Sequence, residues 1–208
     1  MSSYKKCERI SFPEEETKYN WLSMLLDAYY VIDVGIKEAI EKESREVACY
    51  DGCSECCFTH NTIPVYPLEL VGISWYANEK VISQRDLLIN NLRDYQKDSP
   101  CPFLIEGSCI IHPLRPTACR QFIVYNKPCD KGEDPYYSRR DEVLTPLDSY
   151  LHKAFHIMLP FYGITGELEK QKAIEEGILH KHITLIQECN WQSLSNKMES
   201  VDGKENSV

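Results

Sequence analysis

The chain contains ten cysteines, and eight of them lie between Cys49 and Cys129. A chain of 208 residues buries enough apolar surface to be stable without disulfides. Its start, with Lys5 and Lys6, is followed by Pro13 and three glutamates and not by an apolar run, so we expect no secretory signal and a cytoplasmic protein. Thiols stay reduced in that compartment. The cysteines therefore predict a bound metal and not a disulfide framework.

The charge balance argues against two classes of partner. Lys and Arg number 23, whereas Asp and Glu number 32, which gives a formal net charge of −9. Broad nucleic-acid surfaces and anionic-membrane surfaces both need an excess of Lys and Arg. No stretch of the sequence approaches the ~20 apolar residues of a membrane-spanning helix. We expect neither nucleic acid nor a membrane as a partner.

The hydrophobic pattern predicts a mostly α fold with a single domain. Apolar residues recur at three- and four-residue steps over residues 14–45, which predicts one long helix. The same pattern predicts helices over residues 68–78, 83–97 and 141–158, the last interrupted by Pro146, and one or two further helices over 167–175 and 179–189. Residues 46–66 and 98–138 lack this period and are rich in cysteine and proline. We expect helices around an irregular, cysteine-rich metal-binding centre.

The same reading divides the chain into four segments. They are an N-terminal helical segment (1–45), a cysteine-cluster core (46–130), C-terminal helices (131–197) and a polar, flexible tail (198–208).

The first cysteine group has the spacing of a metal site. It reads Cys49-Tyr-Asp-Gly-Cys53-Ser-Glu-Cys56-Cys57, with four thiols in nine residues. Two residues between thiolates let a tight turn direct both sulfurs at one ion, and Gly52 permits the left-handed backbone of such a turn. Gathered thiolates repel without a cation, so metal binding should be linked to folding here. Cys7 and Cys189 lie far away in sequence and are expected to be ordinary packing residues.

Four linked motifs follow one another in the centre of the chain: Cys49-x3-Cys53-x2-Cys56-Cys57, Cys101-Pro-Phe-Leu, Gly107-x-Cys109-x-Ile-His112 and Arg115-Pro-x-x-Cys119-Arg120. Their order resembles the YkgJ-type cysteine-cluster family, which is named for a CxxCxxCC motif and is described as chelating zinc or iron. The resemblance covers about residues 45–125. Here the first gap is three residues long and not two, and a histidine stands at 112 where many relatives have tyrosine.

The resemblance implies the metal ligands and a type of chemistry. The implied ligands are Cys49, Cys53, Cys56, Cys57, Cys101, Cys109 and Cys119. Cys129 is added because it lies close to them in sequence. The characterised relatives resemble flagellin lysine methylases, which carry an iron–sulfur cluster and use S-adenosylmethionine. The resemblance therefore implies a cluster-dependent protein methyltransferase with a protein as its substrate.

The ligand type alone does not choose the metal. Four thiolates suit tetrahedral zinc and an iron–sulfur cluster equally. For zinc, Cys53-x2-Cys56 and Cys109-x2-His112 form a plausible Cys3His set. Against zinc, adjacent cysteines such as Cys56 and Cys57 do not easily point both sulfurs at one small ion. We expect a [4Fe–4S] cluster, with zinc in a non-catalytic interaction module, or an iron carrier or sensor, as the alternatives.

The spacing Cys49-x3-Cys53-x2-Cys56 also matches that of radical S-adenosylmethionine enzymes. Those enzymes are barrels of alternating strands and helices, with an aromatic residue before the last cysteine. Glu55 stands at that position here, and strands are scarce, so the match favours no such enzyme.

Three basic residues beside the cysteines are candidates for a supporting role. Arg115 and Arg120 are candidate cofactor-binding residues, because a guanidinium near a cluster neutralises thiolate charge or holds a carboxylate through its planar fork. The alternative for both is a salt bridge that locks the proline-rich loop. His60 follows the first cysteine group and is a candidate for contact with the ligands.

Overall fold

The N-terminal segment forms two helices instead of the single long helix predicted over residues 14–45. In the computed structural model, which describes residues 7–205, α1 (Pro13–Lys18) and α2 (Asn20–Glu41) are separated at Tyr19 by an extended backbone. The Glu16 carboxylate explains the break, because it accepts hydrogen bonds from Arg9 and from Ser23 on α2. These contacts fold α1 back against α2.

The remaining elements confirm a mostly α fold. The helices are α3 (Glu55–Thr59), α4 (Pro67–Glu79), α5 (Arg85–Asp94), α6 (Thr117–Gln121), α7 (Pro135–Ser138), α8 (Asp148–Met158), α9 (Glu167–Glu175) and α10 (Trp191–Glu205). Short 3-10 turns cover His112–Leu114, Arg140–Glu142, Leu159–Tyr162, Ile178–His182 and Ile186–Glu188. Within residues 7–205, none of the helices has the length and apolar character needed to cross a membrane.

Some predicted boundaries were wrong. The helix predicted over 141–158 begins only at Asp148, because Pro146 has no N–H to continue a helix through that point. The segment 179–189 is not a helix but a strand between two 3-10 turns. The segment 46–66 was predicted to be a loop, and it contains the short helix α3.

The strands form two small antiparallel pairs. β1 (Pro64–Val65) pairs with β4 (Thr184–Leu185), with Pro64 opposite Leu185. β2 (Leu104–Ile105) and β3 (Ser108–Cys109) form a hairpin. Its two-residue turn, Glu106-Gly107, has positive φ at both positions, as the tight turns of hairpins require.

The helices pack into two apolar cores that share α4. The first core lies between α2 and α8, and it includes Leu25 and Phe155. The second lies between α5, α10 and the β2–β3 hairpin, and it includes Leu88 and Phe103. α4 contributes Leu68 and Trp75 to the first core and Ile73 and Ala77 to the second. The segment that carries the cysteines contributes side chains to both apolar layers.

The C-terminal segment does not become a flexible tail at residue 198. α10 continues to Glu205, and Met198 is 0% exposed in the second core. Residues 206–208 of the expected tail lie outside the described residues.

Candidate metal centre

Eight cysteines from separated parts of the chain line one cavity of about 770 Å³. They are the seven cysteines predicted as ligands, together with Cys129: Cys49, Cys53, Cys56, Cys57, Cys101, Cys109, Cys119 and Cys129. All eight are free thiols. Neither Cys7 nor Cys189 lines this cavity. The structure thus brings the predicted cysteines together, while their ligation of a metal stays a prediction.

The helix α3 positions Cys56 and Cys57. Its first turn is closed by a hydrogen bond from the Cys57 N–H to the Ser54 carbonyl, and the Cys57 carbonyl accepts the N–H of Cys101 at 2.7 Å. The second bond fixes the start of the 101–109 segment against α3. Two cysteines adjacent in sequence and one 44 positions later therefore share a wall of the cavity.

The β2–β3 hairpin positions Cys109. Cys109 lies opposite Leu104 in the hairpin register, and the Leu104 N–H bonds back to the Cys101 carbonyl at 3.0 Å. The hairpin packs on the second core through Phe103 and Ile105. Cys101 and Cys109 are therefore brought together by a rigid turn.

Cys119 lies on α6, whose first residue, Thr117, is bonded to the buried carboxylate of Glu69. Glu69 of α4 is 0% exposed and accepts the Thr117 N–H at 2.7 Å and the Tyr66 N–H at 3.0 Å. Burial nonetheless raises the pKa of Glu69. This contact fixes the start of α6 and hence the position of Cys119.

Arg120 is not brought to the cavity. Its guanidinium pairs with Asp33 at 2.8 Å, donates to the carbonyls of Pro113 and Arg115, and lies over the Tyr29 ring. Of the two roles expected for Arg120, cofactor binding and a structural salt bridge, the contacts show the structural one. They hold the turn that precedes Cys119.

Two neighbouring segments position the three remaining cysteines. The Cys49 sulfur accepts the Val124 N–H at 3.4 Å, and the Ala48 N–H bonds to the Val124 carbonyl. Gly52 has φ +87, the left-handed conformation expected for the turn before Cys53. Arg139 donates to the Pro128 carbonyl and pairs with Glu133, which holds the loop that carries Cys129.

Arg115 also lines the cavity and is the single Lys or Arg side chain among its described lining residues. One guanidinium nitrogen, Nη1, contacts Nε2 of His112. Burial, and then the charge of Arg115, lower the pKa of His112 to about 4, so this imidazole is neutral at pH 7. The Arg115 Nε–H is buried and has no hydrogen-bond partner among the described residues.

The wall of the cavity also contains a histidine–aspartate pair. His60 Nε2 lies 3.1 Å from Asp134 Oδ1, and the His60 ring packs edge-on against Phe122 with 4.2 Å between centroids. Burial lowers the pKa of His60 despite the Asp134 carboxylate. Tyr136 and Tyr137, which are exposed residues of α7, complete this wall.

Sequence reasoning identified His60 but missed Asp134. The Asp134-Pro135 pair is a signal for a helix start, and the Asp134 carboxylate does accept the Tyr136 N–H. No local pattern, however, connects it to His60, which lies 74 positions earlier.

The comparisons with known proteins agree with this geometry. Residues 48–142 match the family model CxxCxxCC, whose description is "Putative zinc- or iron-chelating domain". We call this matched segment the CxxCxxCC domain. Neither the search of curated proteins nor the search of solved structures found a match. The CxxCxxCC domain includes all eight cavity cysteines, Arg115 and the His60–Asp134 pair.

The thiols of the CxxCxxCC domain form two groups. We call Cys56, Cys57, Cys101, Cys109 and Cys119 the inner thiols, and Cys49, Cys53 and Cys129 the outer thiols. The Cys57 thiol shares hydrogen bonds with Cys101, Cys109 and Cys56, and these bonds raise its pKa. The bond from Cys57 in turn lowers the pKa of Cys56 and that of Cys109. Hydrogen bonds of Cys57 therefore connect four of the five inner thiols.

Burial dominates at the other cysteines. It raises the pKa of Cys119 among the inner thiols, and it raises the pKa values of Cys49 and Cys129 to about 11. These thiols are protonated at neutral pH. Metal ligands are thiolates, so binding of a cation to them must release protons.

The donor set of the CxxCxxCC domain fits a zinc ion or an iron–sulfur cluster. Soft thiolates select both groups, and the buried Arg115 Nε–H is a donor that an anionic metal–thiolate group would satisfy. Among the described residues, no three Cys, His, Asp or Glu side chains already stand in a geometry that holds a metal ion. The thiol side chains must therefore reorient when the metal binds.

Proposed function

We propose that the CxxCxxCC domain holds a [4Fe–4S] cluster in its cysteine cavity. The observation that carries the proposal is that the adjacent Cys56 and Cys57 both line a cavity with six further free thiols. A single zinc ion takes four ligands, and two neighbouring sulfurs reach one small ion with difficulty. A cluster presents several irons to its ligands and accommodates neighbouring sulfurs more easily.

The position of His112 supports the same choice. The zinc alternative uses a Cys3His set that includes His112, but the His112 Nε2 faces the Arg115 guanidinium. Ligation through that nitrogen would break this contact. The cluster needs cysteines alone and leaves this contact intact.

The size of the cavity favours an enzyme over a closed structural site. At about 770 Å³ it falls within the roughly 300–1,000 Å³ of small-molecule sites, and apolar groups make up most of its wall. A closed structural metal site has no need for such space. When bound, the cluster would supply redox chemistry or an open iron.

The residues on the other wall can then handle a substrate. His60 is neutral because burial lowers its pKa, and Asp134 orients its ring. A neutral, oriented imidazole accepts a proton from a bound molecule. The Arg115 guanidinium is the cation available for a negative group in the cavity.

The finer proposal, based on family analogy, is methyl transfer from S-adenosylmethionine to a protein. A ligand that binds the folded state raises the melting temperature. We expect S-adenosylmethionine to raise the melting temperature of the metal-loaded protein. An unchanged melting temperature at high concentration would count against the methylase analogy and leave the cluster proposal standing.

Anaerobic purification, followed by analysis of iron, acid-labile sulfide and zinc, tests the cluster directly. We expect about four irons and four sulfides per chain and a brown absorption band near ~400 nm. One or two zinc ions without sulfide or colour would overturn the proposal. That result would support a zinc-stabilised interaction module instead.

A further inference from the structure

Arg115 stands apart from the other charged residues near the cavity. It is the one Lys or Arg side chain among the described residues that line it, and the cavity holds eight thiols. Arg120 is the second arginine of the same motif. Its guanidinium already pairs with Asp33 and donates to two backbone carbonyls. The positive charge that faces the thiols is therefore concentrated at one side chain.

The hydrogen bonds of Arg115 are incomplete. Nη1 contacts the neutral His112, while the Nε–H is buried and has no partner among the described residues. A guanidinium carries five N–H donors in a rigid fork, and a buried donor without an acceptor is costly. The cost disappears when an acceptor occupies the cavity beside Nε.

The backbone of Arg115 is held in place by its neighbours. The Arg115 carbonyl accepts the Arg120 Nε–H at 3.1 Å, and the Arg115 N–H bonds to the His112 carbonyl. Arg120 is in turn fixed by Asp33 of α2 and by the Tyr29 ring. The side chain of Arg115 therefore starts from a rigid base.

We infer that Arg115 is a positioning residue for the metal group, with its Nε–H donating to a thiolate or sulfide sulfur and its charge balancing the ligands. The inference rests on the proposed function, because it needs a metal–sulfur group in the cavity. Charge-assisted hydrogen bonds to sulfur stabilise the more negative state of a cluster. Arg115 therefore raises the reduction potential of the group and slows its loss.

The test uses the anaerobically purified, full-length protein and an Arg115→Gln variant. We expect the equilibrium constant for one-electron reduction to fall about tenfold in the variant, which equals a shift of about 59 mV to lower potential. Redox titration followed by electron paramagnetic resonance measures it. A constant within twofold of wild type would overturn the inference.

Two further variants separate three effects: the charge at position 115, the Nε–H donor, and the net charge of the protein. Arg93→Gln is the matched control, because Arg93 is exposed, pairs with Glu199 and does not line the cavity. It should leave the potential unchanged. Arg115→Lys keeps the charge but lacks the Nε–H, so it should keep most of the potential and lose an exchangeable proton coupled to the cluster. If that proton remains in electron–nuclear double resonance, the proposed donor is wrong.

The outcome for the metal and the outcome for Arg115 are distinguishable. If the wild-type protein contains zinc without sulfide, the cluster proposal fails, and the role of Arg115 is tested by zinc release to a chromogenic chelator. Release should then be about tenfold faster from Arg115→Gln than from wild type or Arg93→Gln. Equal release rates would overturn the inference. If Arg115→Gln does not fold, the loss of the exchangeable proton in Arg115→Lys still tests the proposed donor.

Discussion

Cys57 connects most of the inner thiols, because its sulfur shares hydrogen bonds with Cys101, Cys109 and Cys56. Its carbonyl also accepts the Cys101 N–H. The side chain and the backbone of one residue thus connect α3 to the 101–109 segment. Such a residue links metal binding to the local fold.

Replacement of a cavity cysteine should remove the metal. We expect Cys53→Ser and Cys56→Ser each to strip most of the metal, because a serine hydroxyl is a poor substitute for a soft thiolate. Metal analysis of the purified variants measures this loss.

Cys189→Ser is the matched control. The Cys189 thiol donates to the Leu185 carbonyl and does not line the cavity. Its metal content should equal that of wild type. Full metal content in both cavity variants would contradict the ligand set, and a large loss in Cys189→Ser would place the boundary of the site elsewhere.

The ionisation of Glu16 makes the stability of the protein depend on pH. The Arg9 hydrogen bond, opposed by burial, lowers its pKa to about 2. A lowered carboxylate pKa adds stability that is present above the unfolded pKa of about 4.5 and is lost as the pH falls toward the folded value.

We expect Glu16→Gln to lower the free energy of unfolding by about 1–2 kcal/mol at neutral pH, because solvent partly screens the Arg9–Glu16 pair. Urea unfolding should show this difference shrinking by more than half as the pH falls to about 3. A difference independent of pH would contradict the Arg9–Glu16 assignment.

At the scale of elements, α2 and α8 approach each other closely at Gly35. A Cβ at this position would lie 2.6 Å from Tyr150 Cβ on α8. Gly35→Ala should therefore force the helices apart at a cost of about 1–3 kcal/mol, which exceeds or offsets the gain of about 1 kcal/mol in helix propensity.

Urea unfolding of Gly35→Ala should show a net destabilisation of about 1 kcal/mol, with the metal content unchanged. Glu41→Ala, an exposed substitution in the same helix, should stay within about 0.5 kcal/mol of wild type. A stabilised Gly35→Ala variant would show that the interface between α2 and α8 has room to spare.

α10 reaches further than its polar sequence indicates, and Met198 explains why. Because this side chain is 0% exposed in the second core, Met198→Ala should cost about 2–5 kcal/mol in urea unfolding. The exposed neighbour Lys197→Ala should change stability by less than about 0.5 kcal/mol. Equal, small effects of both variants would restore the flexible tail that the composition predicts.

In the molecule as a whole, the cavity is lined by Ile63, Ile111 and Ile186 of the second core. Cys57, Cys101, Cys109 and Cys119 pack against the second core. The outer thiol Cys49 is bonded to Val124, whose neighbours Ile123 and Tyr125 belong to the first core. A metal group held by both sets of thiols would therefore join the two layers.

Removal of the metal should loosen the cysteine segments and leave the first core intact. We expect amide hydrogen exchange to rise at least about tenfold over residues 46–57 and 101–129, with α2 and α8 unchanged. Mass-spectrometric exchange of loaded and stripped protein measures this. Uniform loss of protection, α2 included, would show that the whole fold depends on the metal.

Local patterns predicted much of the fold, because periodicity and composition act within a few residues. The helices over 68–78 and 167–175 and the irregular course of 98–138 were confirmed. The break at Tyr19 and the strand at 184–185 were missed. The break at Tyr19 depends on a side-chain contact between helices, from Ser23 to Glu16. The strand at 184–185 depends on pairing with β1, which is distant in sequence.

The sequence by itself predicted the cysteine-rich centre that matches the CxxCxxCC family model, since thiols at those spacings are typical of metal sites. Only the tertiary structure decided which residues face the thiols. Arg115 and Arg120 belong to one motif, yet Arg115 lines the cavity and Arg120 is held by Asp33. Asp134 meets His60 across 74 positions. Such pairs are chosen by the packing of helices, a long-range property that no local pattern encodes.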